Sequence, residues 1–94
     1  MKVRARRSTG NVFKDLGFSE DEAENLKIRA DLMIELTKLI EAQELTQTAA
    51  AELLGVTRTR VSDLMRGKID RFSVDTLIEM LGHAGACVSF VVRA

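Results

Sequence analysis

The chain is expected to fold as an all-α domain of five helices with a single β-strand at its C-terminal end. Three observations predict it. Apolar residues recur at intervals of three and four from Ala23 to Ile40, which marks one face of a long helix. Two shorter segments stop at Gly55 and Gly67, where glycine supplies the left-handed residue that commonly closes a helix. From Ala86 to Arg93 the pattern changes to period two, with Val88, Phe90 and Val92 on one side, as in a strand.

A chain of 94 residues suits one domain with a thin core. It is 46% apolar and 30% charged, which places it in the ordinary globular range rather than among disordered or membrane chains. No apolar run approaches the ~18 residues of a membrane helix. The basic N-terminus is not followed by the apolar stretch of a secretory signal. Cys87 is the only cysteine, so an internal disulfide is excluded and a reducing compartment, the cytoplasm, is expected.

The net charge of zero conceals a strong pattern. Lys2, Arg4, Arg6, Arg7 and Lys14 give residues 1–14 a charge of +5, residues 15–44 carry −6, residues 45–71 carry +2 and residues 72–94 carry −1. A chain so divided suits one face that meets a polyanion.

No proline, repeat or low-complexity tract divides the sequence. Residues 1–10 form a basic arm, mobile or an edge strand, with a weak alternation at Val3 and Ala5. Residues 11–85 form the helical domain and residues 86–94 the terminal strand. Asn11 to Gly17 can make one helical turn with Val12, Phe13 and Leu16 inward. Ser19 and Glu22 have the spacing of a capping box, and Phe18 with Ala23 that of a hydrophobic staple. The helix that follows, about 20–42, presents Ala23, Leu26, Ala30, Met33, Leu36 (or Thr37) and Ile40, widened by Leu32 and Leu39. Helices at about 46–54 and 58–66 come next. Ser73 then caps a last helix at 74–81, with Phe72 and Leu77 as its staple.

The segment TQTAAAELLGVTRTRVSDLMRG, residues 46–67, is the informative one. Two short helices meet at Gly55-Val56-Thr57. Ala51 is small enough for the second helix to cross close above it, and Gly55 accepts the backbone angle of a tight turn. Val56 and Val61 bury between the helices, Leu53 and Leu64 face the core, and Thr57 caps the second helix. Arg58, Thr59, Ser62, Asp63 and Arg66 are then left pointing outward. This is a helix-turn-helix pattern, in which the first residues of the second helix reach base edges in the major groove.

With Gln47, Ala51, Gly55, Val56, Val61, Ser62, Leu64 and Gly67 at matching spacing, the sequence resembles the xenobiotic-response-element (phage-repressor-like) helix-turn-helix family. Its flanks, residues 11–32 and 66–81, resemble the HigA-like antitoxins within it. The resemblance implies a repressor-like domain that binds double-stranded DNA at a palindromic operator as a homodimer. It also implies an RNase toxin as partner and repression of the protein's own operon. A stand-alone regulator without a toxin shares the same flanks. The DNA-binding residues so implied are Gln47, Thr57, Arg58, Thr59, Arg60, Ser62, Arg66 and Lys68. Gln47 would meet a phosphate, and Arg58 could bind guanine O6 and N7 in a bidentate manner. Arg60, Arg66, Lys68 and Arg71 would meet the backbone. Asp63 could accept from a cytosine amino group, pair with Arg58 or Arg60, or cap locally; a structural ion pair is the reading preferred here.

The remaining residues read blandly. His83 decorates a helix end, Cys87 lies on the outer side of the last strand, and the acids from Glu20 to Glu24 favour a helix dipole. Met33, Met65 and Met80 are packing residues. Neither a phosphate-cradling glycine loop nor a catalytic constellation is visible, so no enzyme, cofactor, metal or membrane partner is expected. The chain leaves no room for a ligand-sensing domain, which favours control by a protein partner. The terminal strand is expected to pair with its symmetry mate in a dimer; the rival partners are Val3 and Ala5 of the arm, or a toxin's sheet edge.

Overall fold

The computed structural model describes residues 2–6 and 16–91, with side chains described for 16–86. Strand β1 (Lys2–Arg6) precedes four α-helices among the described residues. These are α1 (Glu20–Ala42), α2 (Gln47–Leu54), α3 (Arg58–Met65) and α4 (Val74–His83). A 3-10 turn (Ile69–Arg71) links α3 to α4, and strand β2 (Cys87–Val91) follows. Most of the expected first helix, residues 11–15, lies outside the described residues. Its end, Leu16–Gly17, is a turn, and Leu16 is 70% exposed rather than inward.

Each of these four α-helices starts on a hydroxyl cap. Ser19, Thr46, Thr57 and Ser73 accept from the backbone N–H of Glu22, Ala49, Arg60 and Thr76 at 3.1–3.2 Å. Each bond satisfies a donor that the first helical turn leaves without a partner. Thr46 is therefore the cap of α2 and not its first residue. Helix α1 closes without a glycine: Glu44 itself takes a positive φ of 51°.

The core gathers Leu32 and Leu36 of α1, Leu54 of α2, Val61 and Leu64 of α3, Phe72, and Leu77, Met80 and Leu81 of α4. Helix α1 packs on α4, and α2 packs on both α3 and α4. The buried stripe of α1 turns slightly from the expected one, since Leu26 and Ala30 are only half-buried. Likewise Leu54, and not Leu53, is the fully buried leucine of α2, and Met65 is 40% exposed. Periodicity indicates a face of about 100°; neighbours decide which edge of it is covered.

Strand β2 pairs with β1 of the same chain, in parallel, from Lys2 beside Cys87 to Arg6 beside Val91. This is the arm pairing named above as the rival to a symmetry mate, and it takes one edge of β2. The physical reason is placement. Helices α1 and α4 pack together, β1 packs on α1 and β2 on α4, so the two extended segments meet as neighbours. Of the two readings of the basic arm, mobile or an edge strand, the strand holds over Lys2–Arg6, with Val3 beside Val88 and Ala5 beside Phe90.

The turn between α2 and α3 is tight. Gly55 sits at φ 69°, ψ 33° and its N–H donates back to Glu52 O at 3.3 Å. A Cβ there would lie 3.1 Å from the His83 ring, so the helix-end histidine packs over the turn. Gly55→Ala is expected to cost roughly 1–2 kcal/mol for the left-handed backbone alone, which for a domain this small is a drop of ~4–8 °C per kcal/mol. Melting curves of Gly55→Ala with and without His83→Ala separate the backbone cost from crowding of the ring.

Candidate nucleic-acid interface

The interface is built by the turn. Thr57 sets the start of α3, and Gly55 brings α3 back across α2 over the small residues Ala50 and Ala51, both buried. With Val61 and Leu64 in the core, the first turn of α3 faces outward: Arg58 and Thr59 are exposed and Ser62 is half-buried. Gln47, the first residue of α2, stands beside them. Gln47, Arg58, Thr59, Ser62, Asp63 and Arg66 together line one shallow depression of about 430 Å³.

Of the eight residues expected to touch DNA, Gln47, Arg58, Thr59, Ser62 and Arg66 share this depression. Thr57 borders it and uses its hydroxyl to cap α3 through Arg60 N–H. Arg60 and Lys68 have other roles in the structure. The Arg60 guanidinium stacks 5.3 Å from the centre of the Phe72 ring and donates through Nη1 to Arg71 O. Lys68 pairs with Asp63 at 3.7 Å. Arg60 therefore braces the segment after α3.

Asp63 is 7% exposed, not outward. The ion-pair reading holds, with different partners: Lys68 at 3.7 Å and Arg71 at 3.5 Å, instead of Arg58 or Arg60. A carboxylate this buried requires compensation. The chain after Gly67 turns back along α3 and delivers both cations. Arg58 keeps its charge free of the acid as a result.

Sequence reading missed Arg29. It lies on α1, outside the two-helix motif, and its Nη1 donates to Ile69 O at 3.1 Å and Phe72 O at 3.2 Å. The available signal was its position, three residues after Leu26 and four before Met33, an arginine within an apolar stripe. Among the described residues no group of acids, histidines and cysteine is arranged to hold a metal, and no helix is long and apolar enough to cross a membrane.

The helix-turn-helix domain family matches residues 12–93. A solved structure described as an XRE family transcriptional regulator superposes with a TM-score of 0.71 at 33% identity, over 78% of this chain and 82% of that one. The chain belongs to the XRE-like helix-turn-helix family. No curated protein matches it. Within this helix-turn-helix domain α2 and α3 are the motif helices, and α3 occupies the recognition position.

Proposed function

We propose that this helix-turn-helix protein is a sequence-specific transcriptional repressor that acts as a homodimer. The observation that carries the reading is the gathering of Gln47, Arg58, Thr59, Ser62 and Arg66 in one depression at the start of α3. Donors at that place suit the acceptor-rich major groove, which admits a helix. Arg58 reads guanine through two parallel hydrogen bonds, and Thr59 supplies a hydroxyl and a methyl to a neighbouring base. Gln47 and the amino end of α2 hold a phosphate, and Arg66 adds sequence-independent affinity. The protein acts by binding, with no cofactor and no catalytic step.

Arg58→Ala is expected to weaken specific binding by ~1–3 kcal/mol and to relax preference at one base pair. Its effect on stability should be small, because the side chain is exposed. Titration against operator variants with single-base changes tests this, and an unchanged preference profile removes Arg58 from the reading set.

The finer part of the proposal is that the protein is the antitoxin of a type II pair, neutralising an RNase toxin and repressing their shared operon. It rests on the resemblance of residues 11–32 and 66–81 to HigA-like antitoxins. Exposed apolar surface at Ile34 (51%) and Met65 (40%), beside a groove of about 510 Å³ between α1 and the end of α3, also supports a protein partner. Expressing the adjacent reading frame alone should arrest growth, and co-expressing this chain should relieve it. A harmless neighbour leaves the stand-alone regulator as the function.

A further inference from the structure

Beside the recognition face lies a second cleft, of about 480 Å³, where α1 meets the 3-10 turn and the amino end of α4. Arg29, Arg60 and Arg71 line it, against the single carboxylate of Asp70. Arg29 and Arg60 both reach the short turn at 69–72, and Arg71 extends from that turn to α3. Arg29 Nη1 donates to Ile69 O and Phe72 O, Arg60 Nη1 to Arg71 O, and Arg71 Nη1 to Asp63 Oδ2. One nitrogen of each is thereby occupied, and each guanidinium carries five N–H donors. Arg29 Nε is buried without a hydrogen-bond partner, a costly state for a charged donor. The hydroxyls of Ser73 and Thr76, 2.9 Å apart, form the wall at the start of α4, where the helix dipole favours an anion. The cleft adjoins the recognition depression through a shared wall, since Arg71 lines the one and its partner Asp63 lines the other.

We propose that this cleft binds a phosphate of the DNA backbone beside the major groove that α3 enters. The inference rests on the DNA-binding reading and extends it to residues outside the helix-turn-helix motif, Arg29 above all. Guanidinium groups suit phosphate because their donors are fixed in a plane that matches two of its oxygens. A phosphate held by Arg29 and Arg71 ties α1 and the turn after α3 to the same strand. The recognition helix is then set against the base edges from a second side.

Thr76→Glu tests it without removing any arginine. A glutamate three residues after the Ser73 cap suits a helix start, so melting at or above the wild-type temperature is expected. The carboxylate would nonetheless occupy the cleft and repel phosphate. Binding to a duplex of arbitrary sequence is measured over a range of salt concentrations. The log–log slope should be shallower than wild type by ~0.9, the loss of one phosphate contact. Arg29→Gln, which adds no acid, should lose the same amount. Melting in inorganic phosphate against chloride at equal ionic strength distinguishes a free anion from the DNA backbone. A shallower slope in the folded Thr76→Glu protein supports the proposal, whether or not inorganic phosphate also raises the melting temperature. A wild-type slope in Thr76→Glu overturns it; if phosphate stabilises the wild type alone, the cleft takes a free anion instead. Failure of the wild-type protein to bind any duplex overturns the DNA reading itself, a separate result.

Discussion

Truncation after Gly85 is expected to leave a monomer whose affinity for an operator falls by a factor of about 10² or more, the loss that accompanies uncoupling of two linked binding modules. A single repressor-type recognition helix reads few base pairs, and operators of two half-sites one turn apart need two copies held ~34 Å apart. Closed two-fold symmetry provides that spacing. The element proposed for it is β2. Its pairing with β1 satisfies one edge, and a two-stranded sheet keeps an unpaired edge on each strand, which proteins rarely leave uncovered. Antiparallel pairing of β2 with its symmetry mate joins two such sheets into one. Sedimentation of the truncated and full-length proteins, with melting curves alongside, decides the matter. A truncated chain that stays dimeric removes β2 from this role and makes α1, with Ile34 exposed, the next element to test.

Phe72→Ala is expected to cost ~3–5 kcal/mol, the usual penalty for emptying a buried phenylalanine site. The ring is 2% exposed and lies beneath the Arg60 guanidinium, whose cation–π contact adds roughly 0.5–1 kcal/mol. Domains of this kind hold only ~5–15 kcal/mol in total, so the variant should melt far below the wild type or not fold at all. Chemical denaturation reads the loss, and a change under about 1 kcal/mol would mean the site collapses freely and Phe72 is not a keystone. The two arginines of the first turn of α3 should separate in the same assay. Arg60→Ala removes the stacking and the bond to Arg71 O and should lower stability. Arg58→Ala should not.

Much of the interface is legible in the residues. Thr57, Gly55, Val61 and Leu64 mark where α3 begins, how it turns and which side it buries. Arg58, Thr59 and Ser62 follow on the other side by helical spacing. The caps at Ser19 and Ser73 are legible for the same reason: they act within four residues of themselves. What escaped is long-range. Asp63 looked outward because a 3.6-residue period treats a helix as isolated, whereas the segment after Gly67 folds back and covers it with Lys68 and Arg71. The stacking of Arg60 on Phe72, twelve residues along, was not visible either. Arg29 reaches carbonyls 40 and 43 residues away, and no local pattern encodes that.

By itself, then, the sequence determined the four helices from α1 to α4, the caps Ser19, Thr57 and Ser73, the two-helix motif and the exposure of Arg58 and Thr59. Each of these depends on backbone preferences and side-chain spacing that act over one or two turns. Only the tertiary structure decided that β2 lies against β1, that Asp63 is held between two cations, and that Arg29 and Arg60 reach the turn before α4. Those outcomes depend on which surfaces the packing of α1 on α4 brings within a few ångströms. A strand's alternation shows that it needs a partner, and a charge pattern shows that it needs compensation. Neither says from where in the chain it will come.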